Sequence, residues 1–302
     1  MEIVIEEPNV YNRPNFWFAG NSRYETTTDV KFVNDTTLVV ANRMAAVLHL
    51  VEFNLEAKTF KILDRIRLEY EGPVALTSKG FKKSSYPKHV DLINVKGNRI
   101  HYVSLDNDIG IVDIVNQKFV KRDLLKVNDQ VYIHGLEFHP TKPNLAYLAG
   151  ALYKPKLLIL DMTTMKKQTV ILPGLEGRLI KSVRFLDENH LVVSAGEGLI
   201  STTDKNKSYD GYLAVYNLPD FKCLDLITIE IAQTDDVAVY NGFIYSMLQG
   251  ATEAKVCKYQ FDGKLQKLEE IAVGGFPHGI DARNCILAVT SMSRSSVQLI
   301  RI

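Results

Sequence analysis

The chain of 302 residues lacks most of the features that would assign it to a specialised class. It has three cysteines, Cys223, Cys257 and Cys285, and an odd number at such wide spacing predicts reduced thiols rather than a disulfide framework or a metal knuckle. No run approaches the roughly 18 apolar residues of a membrane span. The opening residues, MEIVIEEPN, have neither the basic nor the apolar region of a signal peptide. We therefore expect a soluble protein, cytoplasmic by default.

An excess of charge of either sign is also missing. Lysine and arginine number 36 and aspartate and glutamate 35, which leaves a formal net charge of +1. No global field attracts polyanions, so neither a nucleic acid nor a membrane surface is expected as a partner. The sequence also contains no P-loop, no GxSxG nucleophile motif and no segment with helical periodicity over three turns. No catalytic residue can therefore be named from motifs.

One unit recurs along the chain, with a polar pair, a short apolar strand, a turn and a second apolar strand. The six copies begin at Thr28–Phe32, Lys88–Leu92, His134–Phe138, Lys181–Phe185, Asp235–Val239 and His278–Ala282. Spacings of roughly 40–50 residues are typical of four-stranded propeller blades. The pattern predicts one all-β domain, a six-bladed β-propeller with antiparallel blades. The expected blades are 28–69, 88–127, 134–174, 181–230, 235–275 and 278–302.

The last blade is short of one strand. From His278 to Ile302 there is room for three strands only, while the residues before the first copy have no other partner. We expect a strand from residues 2–19, either Glu2–Ile5 or Asn15–Ala19, to complete the sixth blade. Such pairing of the first and last segments removes an exposed sheet edge and closes the ring.

Two of the copies resemble a known repeat. Gly274–Asp281, followed by Ile286–Thr290 and Ser296–Ile300, resembles the NHL-type and related surface-layer-type propeller repeat, and Ile133–Pro140 is a second match. Glu71-Gly72-Pro73 is similar to the opening of calcium-dependent, lactonase-type propellers, whose metal ligands cannot be placed here by motif. The resemblance covers the whole chain as architecture and two blades as motif. It implies a fold and does not by itself assign a function.

Polar residues are expected to converge at one face of this propeller, which we call the top face. The starts of the inner strands and the loops between second and third strands both reach it, and loops on a rigid scaffold often carry function. In one interpretation these residues satisfy one another and water on the axis. In the other they line a pocket at the top of the central channel. The candidate ligand-binding residues are Asp29, Arg43, Lys88, His89, His134, Lys181, Asp235, Asp236, His278 and Arg294.

Three of these residues are histidines, and they predict a more specific kind of site, one that binds a metal. His89, His134 and His278 could hold a divalent metal, zinc, because imidazole is the commonest metal ligand in proteins. Calcium, which prefers oxygen ligands, is the other divalent metal expected. Some NHL-related propellers, the peptide-amidating lyases, carry a three-histidine metal site on the axis, and the resemblance implies the same chemistry. His134 and His278 belong to opposite blades, which separates them unless the channel narrows.

Three functions remain open at this point. The first is a ligand-binding propeller whose pocket takes a small polar molecule, a glycan or a peptide. The second is a metal-dependent, lactonase-like hydrolase or lyase that acts at the channel mouth. The third is a scaffold for a partner protein that binds the top face.

Overall fold

The computed structural model describes residues 1–5, 27–42, 46–68, 74–77, 80–83, 90–104, 108–127, 132–152, 156–196, 210–229, 232–250 and 254–302. Within these ranges the chain forms six antiparallel blade sheets and one separate two-stranded sheet, and the expected all-β, six-bladed propeller is confirmed. The described ranges contain one helical element, the 3₁₀ turn Met292–Arg294. They include no helix with the length and apolar character needed to cross a membrane.

Every blade runs from an inner strand at the axis to an outer strand at the rim. From inside to outside, the strands of blade one are Thr27–Asn34, Thr37–Asn42, Val47–Asn54 and Thr59–Arg67. Those of blade two are Val90–Lys96, Arg99–Ser104, Asp108–Val115 and Lys118–Lys126. Those of blade three are Tyr132–Phe138, Leu145–Leu152, Lys156–Asp161 and Lys167–Val170. A two-stranded hairpin, Val74–Thr77 with Gly80–Lys83, lies between blades one and two in the chain.

The remaining blades follow the same plan. The strands of blade four are Leu179–Phe185, His190–Gly196, Gly211–Asn217 and Lys222–Ile229. In blade five the inner strand is interrupted, and the strands are Ala232–Gln233 with Val237–Tyr240, then Phe243–Gly250, Ala254–Phe261 and Leu265–Ala272. Those of blade six are Pro277–Arg283, Ile286–Ser291, Ser296–Arg301 and, outermost, Glu2–Val4.

Tight turns with left-handed backbone reverse the chain between strands. Asn241 and Gly242 join the first two strands of blade five with φ angles of 50° and 77°. Asn116 and Gln117 do the same between the outer two strands of blade two, with 50° and 59°. Two successive residues with positive φ match the right-handed twist of the flanking strands, and asparagine and glycine adopt this conformation at low cost.

The hydrophobic core lies in the seams between successive blades rather than in one central layer. Buried residues of blades three and four form one continuous cluster, which includes Tyr147, Val183 and Leu191. Blades one and six share another, which joins Val30 and Phe32 to Val297 and Leu299. Since each seam buries the faces of two sheets, a blade cannot leave the ring without exposing both of its neighbours.

The N-terminal strand closes the ring, as the missing strand of blade six required. Glu2 pairs with Gln298 and Val4 with Ser296, so the first of the two expected segments supplies this strand. The backbone N–H of Ile5 donates to the carbonyl of Ser295 at 2.9 Å, and that of Leu299 to the carbonyl of Met1 at 2.7 Å. The alternative segment, 15–19, lies outside the described residues.

The closing strand is held by apolar side chains as well as by its backbone. Ile3 and Ile5 are buried in the seam between blades one and six, against residues of both blades. Val4, on the other side of the same strand, is exposed. Burial of one such isoleucine contributes roughly 1.5–3 kcal/mol, so two of them anchor the closure.

Replacement of Ile3 should therefore weaken the ring much more than replacement of Val4. We expect Ile3→Ala to lower the free energy of unfolding by about 2–5 kcal/mol, because it leaves a cavity in the seam. Val4→Ala, on the exposed side of the strand, should cost less than about 1 kcal/mol. Chemical denaturation of both variants measures the difference, and equal losses would show that the N-terminal strand does not close the ring.

Candidate functional site

Four of the predicted residues meet at the top of the channel, at the start of the inner strands. His134, Lys181, Asp235 and His278, which we call the top ring, come from blades three to six and are all buried. The imidazole rings of His134 and His278 lie with their centroids 5.4 Å apart and are tilted by 39°. The channel is therefore narrow, and histidines of opposite blades come into contact distance.

Both histidines are anchored in the same way to the next blade. Nδ1 of His134 lies 2.9 Å from the carbonyl oxygen of Lys181, and Nδ1 of His278 lies 3.0 Å from that of Thr28. Because a carbonyl only accepts hydrogen bonds, Nδ1 of each ring carries a proton and donates it. Nε2 is then the nitrogen that can accept a proton, a metal or a ligand when the ring is neutral.

Asp235 supplies the negative charge of the top ring. Its carboxylate lies 3.0 Å from Nζ of Lys181 and 3.8 Å from Nε2 of His278. Burial alone would raise the pKa of Asp235, but the charges of Lys181, His278 and His134 together hold it well below its ordinary value. The carboxylate is therefore ionised at neutral pH and paired within the ring.

A second group of charged residues lies below the top ring. It consists of Asp29, Lys31, Glu137, Arg184, Asp236 and Asp281, and we call it the charged layer. Asp236 is its centre: Lys31 Nζ lies 3.0 Å from one carboxylate oxygen and Arg184 Nη2 lies 2.9 Å from the other. The hydroxyl of Ser182 donates to Asp236 at 2.5 Å and the backbone N–H of Ile280 at 3.3 Å. Residues from three other blades, one, four and six, thus share this one carboxylate of blade five.

Asp29, on the inner strand of blade one, has an equivalent role. It accepts hydrogen bonds from the backbone N–H of Ile93 at 2.6 Å and of Val30 at 2.8 Å, and Lys31 Nζ lies 2.7 Å away. Burial raises the pKa of Asp29 to about 7, and the neighbouring Asp236 adds to the rise, which Lys31 opposes. In blades one and five, the aspartate of the inner strand therefore holds the inner strand of the next blade.

The remaining acids of the charged layer also join neighbouring blades. Asp281 accepts the backbone N–H of Phe32 at 2.7 Å across the closure seam. Glu137 accepts the side-chain amide of Asn94 at 2.9 Å and lies 3.6 Å from Nε of Arg184. Burial raises the pKa of Glu137 and of Asp281, because it outweighs the attraction of the nearby cations.

The structure brings together most, though not all, of the residues expected to bind a ligand. Asp29 and Asp236 belong to the charged layer and four further residues to the top ring. Arg294 does not reach the channel: its exposed guanidinium lies 3.8 Å from Glu2, at the outer strand of blade six. Arg43, Lys88 and His89 lie outside the described residues. Whether these residues bind a ligand stays a prediction.

The structure describes two of the three histidines of the expected metal site. His134 and His278 are close enough to share a ligand, while His89 lies outside the described residues. In the part of the chain that the structure describes, no three histidine, cysteine or acidic side chains are grouped to hold a metal ion. Lys181 forms an ion pair with Asp235, a carboxylate beside the histidines, and its positive charge opposes the binding of a cation.

Sequence reasoning missed four of the six residues of the charged layer. Lys31, Glu137, Arg184 and Asp281 are each the fourth residue of their copy of the repeat, two positions after the polar pair. Alternation on a strand points the second and fourth residues of a copy to the same side. The opposite charges at this position in blades three and four, and again in blades six and one, were the signal available in the sequence.

A separate concavity lies on the underside of the disc. A cavity of about 540 Å³ is formed where turns of blade one meet turns of blade six, and its lining includes Phe53, Asn54, Cys285 and Arg301. Its size is within the range of small-molecule sites. None of the predicted ligand-binding residues lines it.

Comparison with solved structures places the fold among known propellers. The chain is similar to the β-propeller domain of Cps50 (Swd1) from Myceliophteria thermophila, with a TM-score of 0.54 and 10% identity over 94% of this chain and 100% of that one. A chain of the mitotic checkpoint complex gives a TM-score of 0.57 and 9% identity over 99% and 94%. The C-terminal WD40 domain of Sif2 gives 0.52 and 8% over 92% and 96%.

At such low identity these similarities show the fold alone. One of the three is described as a WD40 domain and another as a β-propeller domain, and none is described as an NHL or lactonase propeller. The expected NHL-type resemblance is therefore supported only as six-bladed architecture. No family model matches the chain, and no curated protein matches it significantly.

Removal of the central carboxylate should destabilise the ring. Asp236→Ala leaves Lys31 and Arg184 buried without their shared partner, and breaking a buried pair in this way costs about 3–5 kcal/mol. Asp187 pairs with His190 at the surface, so the control Asp187→Ala should cost less than about 1 kcal/mol. Urea denaturation measures both, and similar losses would contradict a central role for Asp236.

Asp29 should make stability depend on pH in a definite direction. Its folded pKa of about 7 lies above the ordinary value of 3.8, so the folded state binds more protons between these values. The contribution of Asp29 to stability therefore falls as pH rises from about 4 to about 7, by at most about 1.4 kcal/mol per pH unit. The free energy of unfolding of the wild type relative to Asp29→Asn should decline over this range. A constant or rising difference would contradict the raised pKa.

Proposed function

We propose that this chain is a protein-interaction propeller, whose partner binds the outside of the ring rather than the channel. One observation carries the proposal: the described polar residues of the channel are used to hold the blades together. Asp29, Asp236 and Asp281 each accept a backbone N–H of the following blade, and Asp235 is paired with Lys181. A ligand that entered here would have to break buried ion pairs, which is costly.

The structural comparisons support the same conclusion. One of the similar chains is part of the mitotic checkpoint complex, an assembly of several proteins. Propellers offer large, rigid faces and rims, and loops on such a scaffold adapt readily to partners. A protein partner requires no pocket, and a specific interface of standard size buries about 800 Å² on each side.

A second candidate is a small polar ligand at the channel mouth. The close pair of His134 and His278, with Nδ1 of both rings anchored, favours this alternative. Nε2 of His278 lies 3.8 Å from Asp235, which is paired with Lys181, and these groups together could bind a group that both donates and accepts hydrogen bonds.

One pair of variants separates the two functions. In His134→Asn and His278→Asn the side-chain amide can replace Nδ1 as the donor, while Nε2 is lost. The wild-type protein and the double variant are each used to purify partners from source cells. For a partner that both recover in equal amounts, the complex is then reconstituted from pure components. Scaffold function predicts the same Kd, within about twofold, for both proteins.

The contrary result is a bound ligand or metal that depends on the two histidines. Metal analysis and native mass spectrometry are run on both purified proteins in parallel. A small molecule or metal bound in stoichiometric amounts to the wild type and lost from the double variant, without any reconstituted protein partner, would overturn the scaffold and support the ligand site.

A further inference from the structure

Positive charge is concentrated on the rim of two neighbouring blades. The outer strands Thr59–Arg67 and Lys118–Lys126 together carry seven cationic and two acidic side chains. The outer strands of the other four blades carry three cationic and four acidic ones. Because the whole chain has a net charge of only +1, the rest of the molecule is acidic. We call the outer strands of blades one and two the basic rim.

The cations of the basic rim are available to a partner. Lys61, Arg67, Lys121 and Lys126 are exposed, and they form no ion pair within the described part of the chain. Lys118 is paired with Asp64 at 3.3 Å, but it remains largely exposed. Surface pairs of this kind contribute little energy and can be exchanged for a partner's carboxylate.

The two strands are also held in a fixed relation to each other. The carboxylate of Asp64, on the outer strand of blade one, accepts the backbone N–H of Phe119, on that of blade two, at 2.7 Å. The charges therefore belong to one preorganised surface that crosses a blade seam. Each strand of nine residues extends over roughly 30 Å, which is enough for a segment of a partner to lie along it.

Apolar side chains are interspersed with these charges. Phe60, Ile62, Val115 and Leu124 are between 41% and 48% exposed, and they lie on the basic rim or on the strand next to it. They are four of the seven large apolar side chains that are exposed in the described residues. Lysines alone would only protect an outer edge from aggregation, whereas exposed apolar groups among them indicate a contact surface.

This combination favours an acidic polypeptide over a nucleic acid. Three of the four exposed apolar side chains are aliphatic, whereas binding of single-stranded nucleic acid relies on aromatic side chains that stack on bases. Both outer strands are edge strands of their described sheets and offer alternating backbone N–H and C=O groups, which an extended peptide can pair with along its length. Carboxylates of such a peptide would face the free cations of the rim.

We propose that the basic rim of blades one and two binds an acidic, partly apolar segment of a protein partner in extended conformation. Acidic residues of the segment pair with Lys61, Arg67, Lys121 and Lys126, and its apolar residues contact Phe60, Ile62 and Leu124. The inference rests on the proposed function, because it specifies the class of protein segment that the propeller binds.

A labelled peptide of alternating glutamate and leucine, roughly ten residues long, tests the proposal by fluorescence anisotropy at low salt. The test variant is Lys61→Glu, Lys121→Glu, Lys126→Glu. The control, Lys166→Glu, Lys222→Glu, Lys264→Glu, changes the net charge equally at exposed positions of other blades. We expect the test variant to bind roughly tenfold or more weakly, the control within about twofold of wild type, and salt to weaken the binding.

Three kinds of result would overturn the proposed role of the basic rim. Equal binding of the peptide to both variants, or no binding to the wild type, would remove the basic rim as its site. Tighter binding of a single-stranded oligonucleotide or an anionic phosphatidylserine vesicle, lost in the test variant only, would show that the partner class is wrong. If the partner purified from cells binds both variants equally, the rim proposal fails while the scaffold function stands.

Discussion

The ring depends on the burial of one carboxylate, that of Asp236, between Lys31 and Arg184. These three side chains come from blades five, one and four, and a charge taken out of water is tolerated only when its partners are in contact with it. Blades on different sides of the channel must therefore approach until Nζ of Lys31 and Nη2 of Arg184 lie about 3 Å from the carboxylate of Asp236. The width of the channel follows from this requirement, and so does the contact between His134 and His278 above it.

The described charged groups of a channel built in this way are paired with one another and stabilise the fold. Its carboxylates hold the next blade through backbone N–H groups, at Ile93, Ile280 and Phe32. The surface has the opposite character. Charges on the outer strands of blades one and two are exposed, and several of them are unpaired within the described part of the chain. The same residue types thus hold the blades together at the axis and, in the proposed function, bind the partner at the rim, where water surrounds them.

The sequence predicted the strands of this structure better than the contacts between side chains of different blades. Apolar alternation and turn residues are local signals, and they were sufficient for six blades and for a closing strand from residues 2–19, though not for the choice between its two candidate segments. The pairing of Lys31 with Asp236 joins residues 205 positions apart, and no local pattern specifies it. Mutual pairing and ligand binding were both open as roles of the channel residues, because the sequence does not show which side chain of another blade each polar residue contacts.

Arg294 shows a second limit. It follows the second strand of blade six, as Arg43 does in blade one, so the repeat pattern directs it to the top face. In the structure the short turn Met292–Arg294 leads directly to the third strand, and the guanidinium lies beside Glu2 at the outer strand. A repeat pattern indicates which end of a blade a residue occupies, while the length of the loop decides how far it reaches toward the axis.

The pairing of the first strand with the last hairpin also determines the order in which the molecule can be assembled. Glu2 and Ser296 are 294 positions apart, so on the ribosome the first strand must wait until almost the whole domain has been synthesised. Until then the partly formed arc presents two unprotected apolar faces, those of blade one and of the newest blade. Contacts of such long range slow folding, because chain entropy is lost before the contacts form. A circular permutant that begins between two complete blades would remove that wait, since every sheet would then consist of consecutive strands.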